Sequence, residues 1–346
     1  MGGKALQKYG VSRLDQATYE RVSTQALEAI NAALKSLGST ESAVLVPSCR
    51  DKTDHGDIDV VVPHDSFGGN LDKLVNRLAK ELGVEKIEFR KFGNMANCVL
   101  LDGEKAYQLD LICVKDEALQ FAVSYLSWND VSTILLRVTS RMGLSIGING
   151  LSYSVKQGTN KLGRVMLTRD FKVALEYLCL DADRWSQGFN NLEEIYEFFS
   201  EWKGFHPKVF SLDRLNEADR KGVLKRPGYM NFIEWVDAHP EKHKRFNWFP
   251  YSQALRENLW QLFPAARVEF DAIFSDIQRQ KDCQQKFNGH LISEITGYER
   301  KELGDFITQF KARFASKSEF EGYVMNTDQD TIVADIKTAY ENTKSK

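Results

Sequence analysis

The strongest constraint on the fold is a change in the period of the apolar residues along the chain. Over residues 14–38, Val22, Ala26, Ile30 and Leu34 recur every four residues, and Gly38 follows where a helix would stop. That spacing predicts an amphipathic helix. Between residues 42 and 168 short apolar runs take over: SAVLVPS, GDIDVVVP, KIEFRKFG, MANCVLLDG, KAYQLDLICV, LSIGINGLSYSV and RVMLT. These are strand signals, and the Asp102-Gly103 pair between two of them predicts a hairpin turn. Two more helical stripes interrupt the runs. One passes through Leu71, Leu74, Val75, Leu78 and Leu82 to Gly83, the other through Val131, Leu135, Val138 and Met142 to Gly143. After Arg169 the strand runs cease and aromatic-rich helical segments follow, with Leu303, Phe306, Ile307, Phe310 and Phe314 on one predicted face. The expected class is α+β, with a strand-containing domain over residues 1–168 and a mainly helical region over 169–346 that has room for two subdomains.

At 346 residues the chain can hold two or three domains. A net charge of −2 gives no global sign of a nucleic-acid binder, so any such surface must be local. The five cysteines are scattered and form no CxxC pair, which disfavours a disulfide framework and a zinc knuckle. A reducing compartment, the cytoplasm, is expected. MGGKALQKYG has no apolar leader core, and no segment approaches the roughly 18 apolar residues of a membrane span, so no membrane partner is expected.

Chemistry concentrates in "SCRDKTDHGDIDVVVP", residues 48–63. Asp57 and Asp59 are separated by one residue at the start of a strand, so both project to one side. Two such carboxylates disfavour each other's ionisation unless a cation lies between them. Mg²⁺ takes hard oxygen ligands, commonly one or two carboxylates together with substrate phosphates. The pair alone is also common on ordinary surfaces. Asp110, inside YQLDLICV, adds a charge in an otherwise apolar strand, which needs a partner or a metal. Three acids on neighbouring strands can form a two-metal site for phosphoryl transfer. Ser48, Arg50 and Lys52 precede the pair in a turn whose hydroxyl, cationic and N–H groups suit a triphosphate. There is no GxxxxGK[ST] loop. His55 reads as a solvated loop histidine, with a phosphate or metal contact as the alternative.

Together, VPSCRDKTDHGDIDVVV and YQLDLICV resemble the DNA polymerase β-type nucleotidyltransferase superfamily. YLSWNDVSTILLRVTSRMGLSIGINGL is similar to the palm-closing stretch of family X polymerases, with Tyr125, Ser127, Arg137 and Gly143 at matching spacing. Trp128 and Asn129 stand where that family has Gly-Ser, and Val46-Pro47 or Pro47-Ser48 replaces its first Gly-Ser. The resemblance implies a palm domain, a mixed sheet backed by helices. It implies that Asp57 and Asp59 bind two Mg²⁺ ions, or Mn²⁺, and that Asp110 completes one site and activates a 3′-hydroxyl. Tyr125, Asn129 and Arg137 would lie beside the nucleotide or primer.

The acceptor is addressed by the C-terminal part. FNGHLISEITGYERKELGDFITQFKARF is weakly similar to the C-terminal helices of CCA-adding enzymes and bacterial poly(A) polymerases. Arg220, Lys221, Lys225, Arg226, Lys242, Lys244 and Arg245 are interleaved with Tyr229, Phe232, Trp235, Trp248, Phe249 and Tyr251. That composition suits unpaired nucleic acid, with cations on phosphates and aromatic faces on bases. It equally suits an aromatic core under a solvated basic face. The expected activity is template-independent, Mg²⁺-dependent transfer of a nucleotide from a nucleoside triphosphate, ATP among them, to an RNA 3′ end, tRNA being a candidate. The alternatives are a family X-like DNA polymerase or terminal transferase on a DNA primer, nucleotide transfer to a protein or small molecule, and a non-catalytic nucleic-acid-binding protein.

Overall fold

A computed structural model describes residues 5–157, 160–242 and 257–344. The chain is α+β. Its centre is a five-stranded mixed sheet built from β2 (Val44–Leu45), β4 (Ile58–Pro63), β5 (Phe89–Phe92), β6 (Met95–Asp102) and β7 (Lys105–Val114). The strand order is β2-β4-β7-β6-β5, with β4 and β7 parallel and the other pairs antiparallel. A two-residue ladder joins β1 (Leu14–Asp15) to β3 (Asp54–His55), a pairing with no signal in the apolar pattern. β8 (Leu144–Gly147), β9 (Gly150–Gln157) and β10 (Asn160–Thr168) form a three-stranded sheet.

The central sheet has two differently used faces because its side chains alternate. Ile58, Val60 and Val62 of β4, with Leu109, Leu111 and Cys113 of β7, pack under α1 (Gln16–Ser36) and α2 (Leu71–Glu81). Both helices are capped at their starts: Asp15 accepts from the Thr18 N–H at 2.8 Å, and Asn70 from the Lys73 N–H at 3.0 Å. Val61, Ile112 and Val114 face the other way and pack against α3 (Leu119–Leu126). Asp59 and Asp110 lie on this second face by alternation.

The helix predicted from the stripe through Val131, Leu135, Val138 and Met142 starts at Ser132, after a break that the stripe does not show. α3 ends at Leu126, Trp128 and Asn129 take left-handed backbone conformations (φ 67° and 66°), and α4 runs Ser132–Arg141. Eight further helices or helical turns follow β10 before residue 243, among them α5 (Phe171–Tyr177), α6 (Ala182–Gln187), α7 (Leu192–Ser200), α8 (Pro207–Phe210), α9 (Glu217–Val223) and α10 (Pro227–Ala238).

Two compact units emerge. One comprises residues 1–154 and 164–263, the other 155–163 and 264–346. The second contains α11 (Pro264–Lys286), α12 (Gly289–Thr296), α13 (Arg300–Lys311), α14 (Lys317–Asn326) and α15 (Gln329–Lys344). Phe306 and Phe310 are buried in its core with Phe287, Ile292 and Phe320, while Leu303, Ile307 and Phe314 pack around them partly exposed. No helix among the described residues is long and apolar enough to cross a membrane.

Candidate metal centre

Register places the three acids together. In the parallel pair Asp59 stands opposite Asp110, and Asp57 precedes Asp59 by two residues on the same side. One carboxylate oxygen from each of Asp57, Asp59 and Asp110 lies within 4.8 Å of the others. Asp57 and Asp59 are half-buried and Asp110 is buried.

Asp110 is held by two side chains with no sequence motif to mark them. Asn97, its antiparallel neighbour, donates to Asp110 Oδ1 at 2.7 Å, and Gln108 donates to both carboxylate oxygens at 2.9 and 3.0 Å. Burial pushes the carboxyl up to about 6; Asp57 adds to this, while the hydrogen bonds from Asn97 and Gln108 pull the other way. Gln108 Oε1 is buried and has no hydrogen-bond partner among the described residues. Three carboxylates this close, each offering a hard oxygen, form a donor set that fits Mg²⁺ or Mn²⁺.

His55 departs from expectation: it is 1% exposed and not solvated. The β1–β3 ladder pulls it inward, where its ring stacks on Tyr19 at 3.8 Å and Nε2 lies 2.8 Å from Gln16 Oε1. Burial lowers its pKa. Tyr19 is pushed up to about 12 by burial, to which the charges of Asp59 and Asp57 add. Gln16, Tyr19 and His55 thus fix the end of the loop that delivers Asp57.

The start of the same loop borders a cavity of about 570 Å³ lined by Cys49, Asp51, Lys52, Asn129, Asn190, Pro227 and Asn231 among others. Lys52 Nζ donates to Asn129 Oδ1 at 3.2 Å, and Asn129 Nδ2 lies 3.2 Å from Cys49 Sγ. The Trp128 N–H donates to Pro47 O at 2.9 Å, which ties the left-handed turn to the loop. Arg50 is engaged by protein: it donates to Asn190 Oδ1 at 2.9 Å and to the Gln187 carbonyl, and its own N–H reaches Phe189 O at 3.1 Å. Ser48 is half-buried and does not line the cavity. Tyr125 is half-buried, and burial raises its pKa against the influence of Ser132 and Arg226.

The remaining cations are dispersed. Arg137 is buried and donates to Asp219 Oδ2 at 3.1 Å. Arg220, Lys221, Lys225, Arg226 and Lys242 are exposed; Lys221 pairs with Glu217 at 2.6 Å and Lys242 with Glu197 at 2.5 Å. Tyr229, Phe232 and Trp235 are buried, with Phe232 against Tyr196 and Phe210, so these rings are core and present no face to a base. The amphipathic period of α10 turns them inward. Lys244, Arg245, Trp248, Phe249 and Tyr251 lie outside the described residues. Neither any protein-family model nor any curated protein matches this chain.

Proposed function

We propose that the chain is a nucleotidyltransferase that moves a nucleoside monophosphate from a nucleoside triphosphate to the 3′-hydroxyl of an RNA. The observation that carries this reading is the convergence of Asp57, Asp59 and Asp110 on one face of two parallel strands. Further support comes from the loop that runs from this cluster to the cavity at Lys52 and Asn129, and from left-handed φ values at the two positions where the resembling family carries Gly-Ser.

In this reading Asp57, Asp59 and Asp110 would hold Mg²⁺, which supplies charge neutralisation for the triphosphate and Lewis acidity at the reacting oxygens. Lys52, oriented by Asn129, faces the triphosphate. Arg50 positions the loop through Asn190 and Gln187, and Arg137 positions α4 through Asp219. Asp110, oriented by Asn97 and Gln108, takes the proton of the 3′-hydroxyl. The freed oxygen attacks the α-phosphorus, the bond to the bridging oxygen of the β-phosphate breaks, and pyrophosphate leaves.

The test is incubation with each labelled NTP or dNTP, Mg²⁺, and tRNA, generic RNA or primed DNA. Wild type is expected to extend RNA without a template, and Asp110→Asn to lose at least about a thousandfold in rate while its circular dichroism is unchanged. Undiminished transfer by Asp110→Asn defeats the metal assignment; template-dependent extension of DNA makes the chain a polymerase instead. Absence of transfer to any acceptor, with nucleic acid still bound, supports a binding protein.

A further inference from the structure

One row of side chains crosses the carboxylate face from strand to strand. Arg90 of β5 stands opposite Asn97 of β6, Asn97 opposite Asp110 of β7, and Asp110 opposite Asp59 of β4. In the next row Phe92 is opposite Met95, Met95 opposite Ile112, and Ile112 opposite Val61. Directly paired residues share a face. The alternate residues of β5 fit this assignment. Phe89 packs into the core under α1 and α2, and Lys91 pairs with Asp72 of α2, so Arg90 and Phe92 point to the opposite, carboxylate side. With strands about 4.8 Å apart, the Arg90 backbone is about 10 Å from that of Asp110.

Phe92 is 76% exposed, more than any other large apolar residue described. A single exposed apolar residue needs no explanation. This one, however, adjoins an exposed arginine on the face that carries the acids, and its hairpin is held firmly. Asn94, in the turn after Phe92, donates from Nδ2 to Cys113 O at 2.5 Å, and its carbonyl accepts from the Cys113 N–H at 2.9 Å. A polyanion brought to three carboxylates needs a cation and a stacking surface beside them. A flat aromatic ring stacks on any base, and a guanidinium binds phosphate oxygens in a fork.

We propose that Arg90 and Phe92 form a platform for the unpaired 3′ end of the acceptor, Phe92 stacking on a base and Arg90 holding a backbone phosphate. The platform rests on the transferase reading for its role and directs the terminal hydroxyl toward Asp110.

The test titrates full-length wild type, Arg90→Ala, Phe92→Ala and Phe92→Tyr with a short 5′-labelled single-stranded RNA, and separately with DNA of the same sequence, in Mg²⁺ without nucleotide. Lys80→Ala, an exposed cation on α2 at the opposite face, controls for net charge. Arg90→Ala and Phe92→Ala should each weaken RNA binding about five- to tenfold, and Lys80→Ala less than about twofold. Arg90→Ala should also reduce the salt slope by about one, and Phe92→Tyr should restore binding. In the transfer assay acceptor KM rises with the same variants while nucleotide KM is unchanged. DNA bound as tightly as RNA supports the platform, because neither contact uses a 2′-hydroxyl. Unchanged affinity in both alanine variants, equal loss in Lys80→Ala, no RNA binding by wild type, or a Phe92→Ala effect on self-association alone overturns it. Wild-type transfer with unaffected variants overturns the platform and leaves the transferase reading standing. Binding that depends on Arg90 and Phe92 without wild-type transfer does the reverse.

Discussion

Asp110 combines two effects that oppose its charge, burial and the neighbouring Asp57. Its folded value of about 6 lies above the ordinary aspartate range, so the folded chain retains a proton that the unfolded chain releases near pH 4. Without Mg²⁺, stability contributed at this site therefore falls as pH rises from about 4 to 6, by on the order of 2 kcal/mol. The difference in melting temperature between wild type and Asp110→Asn in EDTA isolates it: the variant should gain on wild type across that window, and a constant difference would contradict the assignment. Because ligands must be ionised, Mg²⁺ should raise the wild-type melting temperature more at about pH 7.5 than at about pH 5, and Asp110→Asn should lose most of that gain. Asn97→Ala removes a donor that favours the ionised form, so the Mg²⁺ effect should move to higher pH. A shift to lower pH would show that Asn97 does not hold the carboxylate.

At the scale of elements, the turn at Trp128 and Asn129 depends on what faces it. Gly188 has φ 79°, and a Cβ there would lie 2.5 Å from Trp128 Cη2. Gly188→Ala must therefore strain its backbone or displace the indole, at a cost of about 1–3 kcal/mol. Displacement carries Asn129, and with it the Lys52 contact, so nucleotide affinity should fall along with stability. Urea unfolding and a nucleotide titration read the two effects; an unchanged denaturation midpoint would show that the indole can move freely. The stripes of α1 and α2 were legible in the sequence because each helix is apolar on one side only, which leaves a period, and β4 and β7 because both their faces are covered, which leaves short apolar runs. α3 was not, since Leu119, Phe121, Ala122 and Val123 are all buried and leave none. The break before α4 was hidden because Trp128 and Asn129 occupy conformations usually signalled by glycine.

Across the whole chain, charge and aromatic content describe composition and leave placement open. Arg137 joins α4 to α9 through Asp219, with the arginine side chain 7% and the aspartate 47% exposed. Asp219→Ala leaves a buried guanidinium without this partner and should cost about 1–3 kcal/mol, less than for a fully buried pair because Asp219 itself is half in water. Asp219→Asn should recover part of the loss, and a melting temperature equal to wild type in both variants would show that the pair contributes nothing. The basic stretch from Arg220 illustrates the same division. Its cations are exposed as their chemistry requires, but Tyr229, Phe232 and Trp235 are drawn into the core by the period of α10.

By itself the sequence determined the α+β class, most element positions and three acids suited to a metal, because apolar period and the cost of a buried charge are local properties. Tertiary structure decided what local properties cannot contain. Strand register set Asp59 opposite Asp110 and brought Asn97 and Gln108 to the same carboxylate. The β1–β3 ladder buried His55 on Tyr19, and pairing at the sheet edge turned Arg90 and Phe92 to the acidic face. In each case the partner is distant in sequence, and only hydrogen-bonded pairing of strands specifies which residues meet.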